Sequence, residues 1–268
     1  MNQYRWIGVA LLVFAAVLLQ SLPKPQIALT SNYNSLDKIL ASSEIELPIA
    51  LGNLGQQMVE VGVFADESML GEFARPQTSK IKLTRQNAPV FLNFLWGLGL
   101  GNRNPILEQG PMQNPRFKLE NLASIGGFTI SATSAIDHYS KHEFIKLDPG
   151  QQAMLEYIAK KIYRPCCDNS TYFPDCNHGM AMLALLELAV SQNLEISEIY
   201  NLALAVNAYW FEGSYRMIAE YLDKQNLIGN QTAEEILSQK YSSASGYKKI
   251  LQSLKPRNQK TNPSCGVN

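Results

Sequence analysis

Apolar residues recur along this chain at spacings of three and four, the period of a helix with one face turned inward. Ser35 can start a short helix through Leu40. Leu54 to Val61 forms a second, with Gly62 as its C-terminal stop. Asp66 to Phe73 forms a third, and Ala132 to Phe144 reads as another. Asp148-Pro149-Gly150-Gln151 is a strong start, with Asp as N-cap, Pro at the first helical position and Gln three residues after the cap. That helix should reach Tyr163 and stop before Pro165, because a residue preceding proline is pushed out of the helical region. Asp175 is expected to cap the next helix. That helix carries Met180 to Val190, apolar on nearly every side except at Glu187, so it should be central. Ile196 to Phe211, Ser214 to Leu222 and Thr232 to Lys240 follow, the last opened by the capping box Thr232-Ala233-Glu234-Glu235. No run of alternating strands stands out. The fold class expected is mainly α, a single multi-helix globular domain behind an N-terminal hydrophobic segment.

The N-terminus breaks this pattern. Arg5 precedes an unbroken apolar run from Trp6 to Leu19, which exits into Gln20, Ser21 and Pro23-Lys24-Pro25. A basic start and an apolar run of this length make an export signal. No small-residue cleavage site follows, and Tyr4, Trp6 and Lys24 could anchor a short span at its interfaces. The reading is an uncleaved membrane anchor, with a cleaved signal as the alternative. In both, the body lies outside the cytoplasm. No cysteine follows the run, which excludes a lipoprotein anchor. The organisation expected is thus 1–22 as signal or anchor, 23–33 as linker, 34–254 as the helical domain and 255–268 as a disordered tail.

Composition narrows the function. Lys plus Arg and Asp plus Glu number 23 each, and charged residues make up 17%. This balance argues against a nucleic-acid partner, which needs a basic face. The late cluster Lys248, Lys249, Lys255, Arg257 and Lys260 reads as a solvated tail. Partners expected are the membrane, through the N-terminal segment, and an unidentified protein.

The chemistry concentrates in one block. Of four cysteines, three lie at Cys166, Cys167 and Cys176, with His178, Met180 and Met182 close behind. Thiolate, imidazole and thioether are the ligands of copper, zinc and haem iron. Cys176 would sit in the first turn of a helix, where the orphan N–H groups favour a thiolate. Three readings compete. The first is a thiophilic metal site, copper before zinc, for metal handling or electron transfer, with Cys166, Cys167, Cys176 and His178 as ligands and Met180 or Met182 as a weak axial one. Haem on His178 and a Met is conceivable, but no C-x-x-C-H is present. The second is a disulfide staple in a helical binding or scaffold domain, Cys176 pairing with Cys166 or Cys167 and the remaining thiol with Cys265 or free. The third is a thiol enzyme, Cys176 or Cys167 as nucleophile and His178 as base.

Other features carry weaker signals. His138 and His142 are four apart, a metal-pair spacing on a helix, though two exposed histidines are the commoner case. Gly97-Leu98-Gly99-Leu100-Gly101 lacks the context of a phosphate loop and reads as a close turn under aromatics. The polar residues after it, Asn102, Arg103, Asn104, Glu108 and Gln109, could line a pocket. Asn169-Ser170-Thr171 matches the N-glycosylation pattern. Tyr209, Trp210 and Phe211, with Tyr215 and Tyr221, read as packing between helices.

Overall fold

The computed structural model describes residues 35–254. The apolar N-terminal run, the linker, the tail after residue 254 and Cys265 lie outside them. Among the described residues no helix is long and apolar enough to cross a membrane.

Helices dominate. They are α1 (Leu36–Ala41), α2 (Leu54–Glu60), α3 (Ala88–Gly101), α4 (Pro105–Gln109), α5 (Ala123–Gly126), α6 (Pro149–Ala159), α7 (Asn177–Ser191), α8 (Ile196–Trp210), α9 (Glu212–Lys224), α10 (Ala233–Leu237), α11 (Gln239–Ser242) and α12 (Ala244–Leu254). Glu67–Ala74 is a 3₁₀ segment kinked at Gly71, started by the Asp66 carboxylate, which accepts from the Ser68 N–H at 2.7 Å.

Helix α7 is the axis. Every residue from Gly179 to Val190 is buried, as its all-round apolar sequence predicts, and α3 makes its broadest contact. That contact explains the glycines of α3. They do not form the close turn expected of them; the helix runs through them to Gly101. A Cβ at Gly99 would overlap the Met180 backbone carbonyl, and one at Gly97 would lie 2.5 Å from the Phe64 ring. The glycines lower helix propensity by about 1 kcal/mol each, and the close approach of α3 to its neighbours offsets this.

Two strands were not expected. Glu44–Leu47 (β1) pairs antiparallel with Ile81–Thr84 (β2), Glu44 opposite Thr84 and Leu47 opposite Ile81. Both alternate, with Ile45, Leu47, Ile81 and Leu83 inward. The alternation is visible in the sequence but only four residues long.

The stretch Ala132 to Phe144 is not a helix. One 3₁₀ turn, Ala135–Asp137, is all that forms. Its backbone is used instead to close the open end of α3: the Ser140 N–H donates to Leu100 O at 2.8 Å, the His142 N–H to Gly101 O at 2.9 Å, and the Arg103 N–H to His142 O at 2.7 Å. The last carbonyls of a helix need such donors. His138 and His142 therefore do not share a helix face, yet a turn brings them together, Nδ1 to Nε2 at 3.0 Å, with Thr133 Oγ1 3.0 Å from the other His138 nitrogen. Burial lowers the pKa of both imidazoles.

The capping signals at Asp148 and Thr232 are both present as full capping boxes. Helix α6 ends at Ala159 rather than Tyr163, because the Tyr172 and Thr171 N–H groups take the carbonyls of Ala159 and Ile162, at 3.0 and 2.9 Å. The region Thr232 to Lys240 breaks at Ser238 into α10 and α11, and Lys248 and Lys249 lie exposed on α12 rather than in a tail.

Candidate metal centre

The loop from Lys160 to Cys176 has no regular structure, yet it is fixed at many points. The Tyr163 N–H donates to Leu237 O at 2.8 Å, and Asn207 Nδ2 on α8 to Tyr163 O at 3.1 Å. Further along, Cys167 O accepts from the Ala244 N–H at 3.0 Å and the Asp168 carboxylate from the Ser245 N–H at 2.8 Å, both at the start of α12. Asp175 O accepts from the Ser124 N–H at 3.1 Å.

Arg164 lies at the centre, fully buried. Its Nη1 donates to Asn169 O at 3.0 Å, Nη2 to Phe173 O at 3.4 Å and to Asp175 Oδ1 at 3.3 Å, and Nε to Cys176 Sγ at 3.2 Å. Asn169 Nδ2 binds the other Asp175 oxygen at 2.8 Å. One buried guanidinium thus ties three carbonyl or carboxylate groups and a sulfur. A Cβ at Gly179 would overlap this guanidinium, so the third residue of α7 has to be glycine for Arg164 to lie there. Sequence reasoning gave Arg164 and Gly179 no role. The available signal was an arginine directly before Pro-Cys-Cys and a glycine in the first turn of an otherwise bulky helix.

The three cysteines converge as expected. Cys166 Sγ is 3.7 Å and Cys167 Sγ 3.9 Å from Cys176 Sγ, and all three sulfurs lie within 4.8 Å of one another. A disulfide needs about 2.05 Å, so none is formed among them. Cys166 is exposed, and Cys167 and Cys176 are partly covered.

Cys176, not Asp175, is the N-cap of α7. Its sulfur accepts from the Gly179 N–H at 3.4 Å. Asp175 is drawn instead to Arg164. The thiols of Cys166 and Cys167 pointing at it, together with Arg164, hold Cys176 far below the usual thiol range despite its burial. Cys166 moves the other way, through its contacts with Cys167 and Cys176 and through burial. At Cys167 the contact with Cys166 pulls down, but Cys176 and burial outweigh it, and the thiol is raised. Burial opposes the Arg164 charge, and the Cys176 thiolate beside it more than compensates. Of the three thiols, Cys176 is thus the one most readily ionised.

His178 does not lie within the trio. Its ring packs on Phe211 at 4.4 Å and on Trp210 at 5.8 Å between centroids, and burial pushes its pKa down to about 4, leaving a neutral imidazole. Trp210 and Phe211 thus close the His178 side of the block, a role their sequence position alone did not reveal. Met180 and Met182 are fully buried in the core of α7. The Asn169 amide is engaged with Asp175 and the Thr171 side chain is fully buried, its hydroxyl donating to Ile162 O at 3.1 Å, so the glycosylation pattern coincides with loop-building residues.

Elsewhere, Arg103, Asn104 and Glu108 do line a cleft, of about 430 Å³, with Gln152 and Lys146. Behind Asn104 lies Glu187, fully buried, its Oε1 accepting from Asn104 Nδ2 at 2.8 Å. No protein-family model, curated protein or solved structure matches this chain, so the site is read from its geometry.

Proposed function

We propose that Cys166, Cys167 and Cys176 bind a thiophilic metal ion, copper(I) before zinc, and that the protein handles this metal or passes electrons through it. The observation that carries the reading is the convergence of the three sulfurs. Sulfurs arranged around an ion at about 2.3 Å lie roughly 3.8–4.0 Å apart, and the two separations to Cys176 are 3.7 and 3.9 Å.

The preference for copper(I) rests on number and softness. Soft thiolates select copper(I) and zinc, but zinc in structural sites almost always takes four ligands. Three sulfurs make a complete trigonal set for copper(I) and an incomplete one for zinc. His178 is a further candidate, and its ring would have to leave Phe211 to join. A haem on His178 would have to displace the same contact. Arg164 offsets part of the negative charge of three thiolates, and its N–H on Cys176 is the outer-sphere donor that orients a metal-bound sulfur. The apolar run from Trp6 to Leu19, read as an export signal, supports a centre outside the cytoplasm, attached to the membrane or released after cleavage.

Anaerobically reduced protein titrated with copper(I) against a chromophoric chelator should take up one ion per chain. Cys176→Ser should weaken binding by more than the roughly 10–100-fold usual for losing an outer partner. Uptake no greater than that of the triple Cys→Ser variant, for copper(I) and for zinc, would reject the metal reading. A Cys176 disulfide found by mass spectrometry in the protein as isolated would then point to the disulfide-stapled scaffold alternative.

A further inference from the structure

The geometry points to a second activity of the same sulfurs: Cys166 and Cys176 form a dithiol–disulfide couple that exchanges with external disulfides, and its oxidation empties the metal site. The second half of this inference rests on the metal reading above.

The choice of pair follows from position. Neighbouring Cys166 and Cys167 have Cα atoms about 3.8 Å apart, below the roughly 4.4–6.8 Å that disulfides span, so a bond between them is strained. Cys176 must then be one partner. Cys166 Sγ is the nearer sulfur, at 3.7 Å, and it is exposed to an incoming oxidant. Cys167 is less free to move. Its N–H donates to Arg164 O at 3.4 Å, its carbonyl accepts from Ala244 at 3.0 Å, and its sulfur contacts Asn169 O at 3.8 Å. Cys176 is held from behind by Arg164 Nε at 3.2 Å and by the Gly179 N–H, so its sulfur stays fixed while Cys166 closes the gap.

The step balances with a low-molecular-weight disulfide, R–S–S–R, as oxidant. Cys166 sulfur attacks it, the R–S–S–R bond breaks, and one RSH leaves with the Cys166 proton. The Cys176 thiolate then attacks Cys166 in the mixed disulfide and expels the second R–S⁻, which takes its proton from solvent. One protein S–S bond replaces the oxidant's, the two RSH carry off the Cys166 proton and one from solvent, and the protein gives up two electrons. Cys167 remains a thiol. Two of the three metal ligands are consumed, so the ion must leave.

The test uses the full chain, reduced and loaded with zinc, which has no redox chemistry of its own. Oxidised glutathione is titrated in without oxygen, free zinc is read with a chromophoric indicator, and samples are alkylated and mapped by mass spectrometry. One zinc should be released per Cys166–Cys176 bond formed, with Cys167 alkylated throughout. In metal-free protein Cys167→Ser should still form the Cys166–Cys176 bond, and Cys166→Ser should form no internal bond. Zinc retained with three free thiols at a ratio that oxidises free dithiothreitol would overturn the couple, as would release accompanied by a Cys167–Cys176 bond. Failure to take up zinc or copper(I) at the start would remove the metal reading and the emptying step, while the mapping of metal-free protein would still decide whether the couple exists.

Discussion

Glu187 gives the protein a stability that should fall as pH rises, and the size of the effect follows from its surroundings. Its carboxyl is fully buried on α7, Oε1 accepts from Asn104 Nδ2 at 2.8 Å, and Oε2 has no hydrogen-bond partner. Burial pushes its pKa up from 4.5 to about 8, against the opposing pull of the Asn102 and Asn104 amides. Between these values the folded chain holds a proton that the unfolded chain has released. Stability is therefore complete below about pH 4.5 and is lost as pH climbs through about 8. At about 1.4 kcal/mol per unit, a gap of roughly three and a half units amounts to about 5 kcal/mol, an upper figure. Glu187→Gln keeps the shape and removes the proton. Urea denaturation followed by far-UV circular dichroism, from pH 5 to 9, should show the wild type losing stability relative to the variant by about 1.4 kcal/mol per unit up to pH 8. His138, His142 and His178 titrate alike in both proteins and cancel in the difference. Only the slope matters, because better or worse packing of the glutamine shifts the absolute stability without altering it. A difference that stays flat across the range would mean that Glu187 is not held protonated in the fold, and the argument would fail.

Two further outcomes follow from packing. Gly99→Ala should destabilise by at least about 1–3 kcal/mol, since its Cβ meets a backbone carbonyl that cannot turn aside, while Gly213→Ala, with nothing within 4 Å, should be neutral or stabilising; thermal denaturation of both variants decides this. Arg164→Met should cost about 3–5 kcal/mol by chemical denaturation, the range for breaking a buried ion pair, because it leaves Asp175 without its cation and two loop carbonyls without donors; a loss below about 1 kcal/mol would deny Arg164 its organising part.

Much of the helical frame was legible because its signals are local. Asp148 with Gln151 and Thr232 with Glu235 declare helix starts, and the all-round apolar run after Met180 declares a central helix. What the sequence hid depends on distant partners. The glycines of α3 resemble a turn until Met180 O is seen against Gly99. Ala132 to Phe144 has helical spacing, but its N–H groups are claimed by the end of α3. β1 and β2 are too short for alternation to stand out, and each needs the other across more than thirty residues. At the site, the meeting of Cys166 and Cys167 with Cys176 followed from loop length. The cap at Cys176 rather than Asp175 did not, because it depends on Arg164 drawing the carboxylate away. The one linear signal of that arginine, its place directly before Pro-Cys-Cys, does not reveal that its side chain is buried.

The guanidinium hub also determines how the sulfur loop behaves over time. A chain without helix or strand ordinarily wanders, and an ion that had to gather three wandering thiolates would spend much of its binding energy on ordering them. Here the loop carbonyls of Asn169 and Phe173, the Asp175 carboxylate and the Cys176 sulfur are gathered by the protein's own cation. The loop's order thus comes from the protein's own cation, unlike in small zinc modules where the ion is the fold. On the proposed metal reading, arrival and departure of an ion would then be local events at a standing cradle.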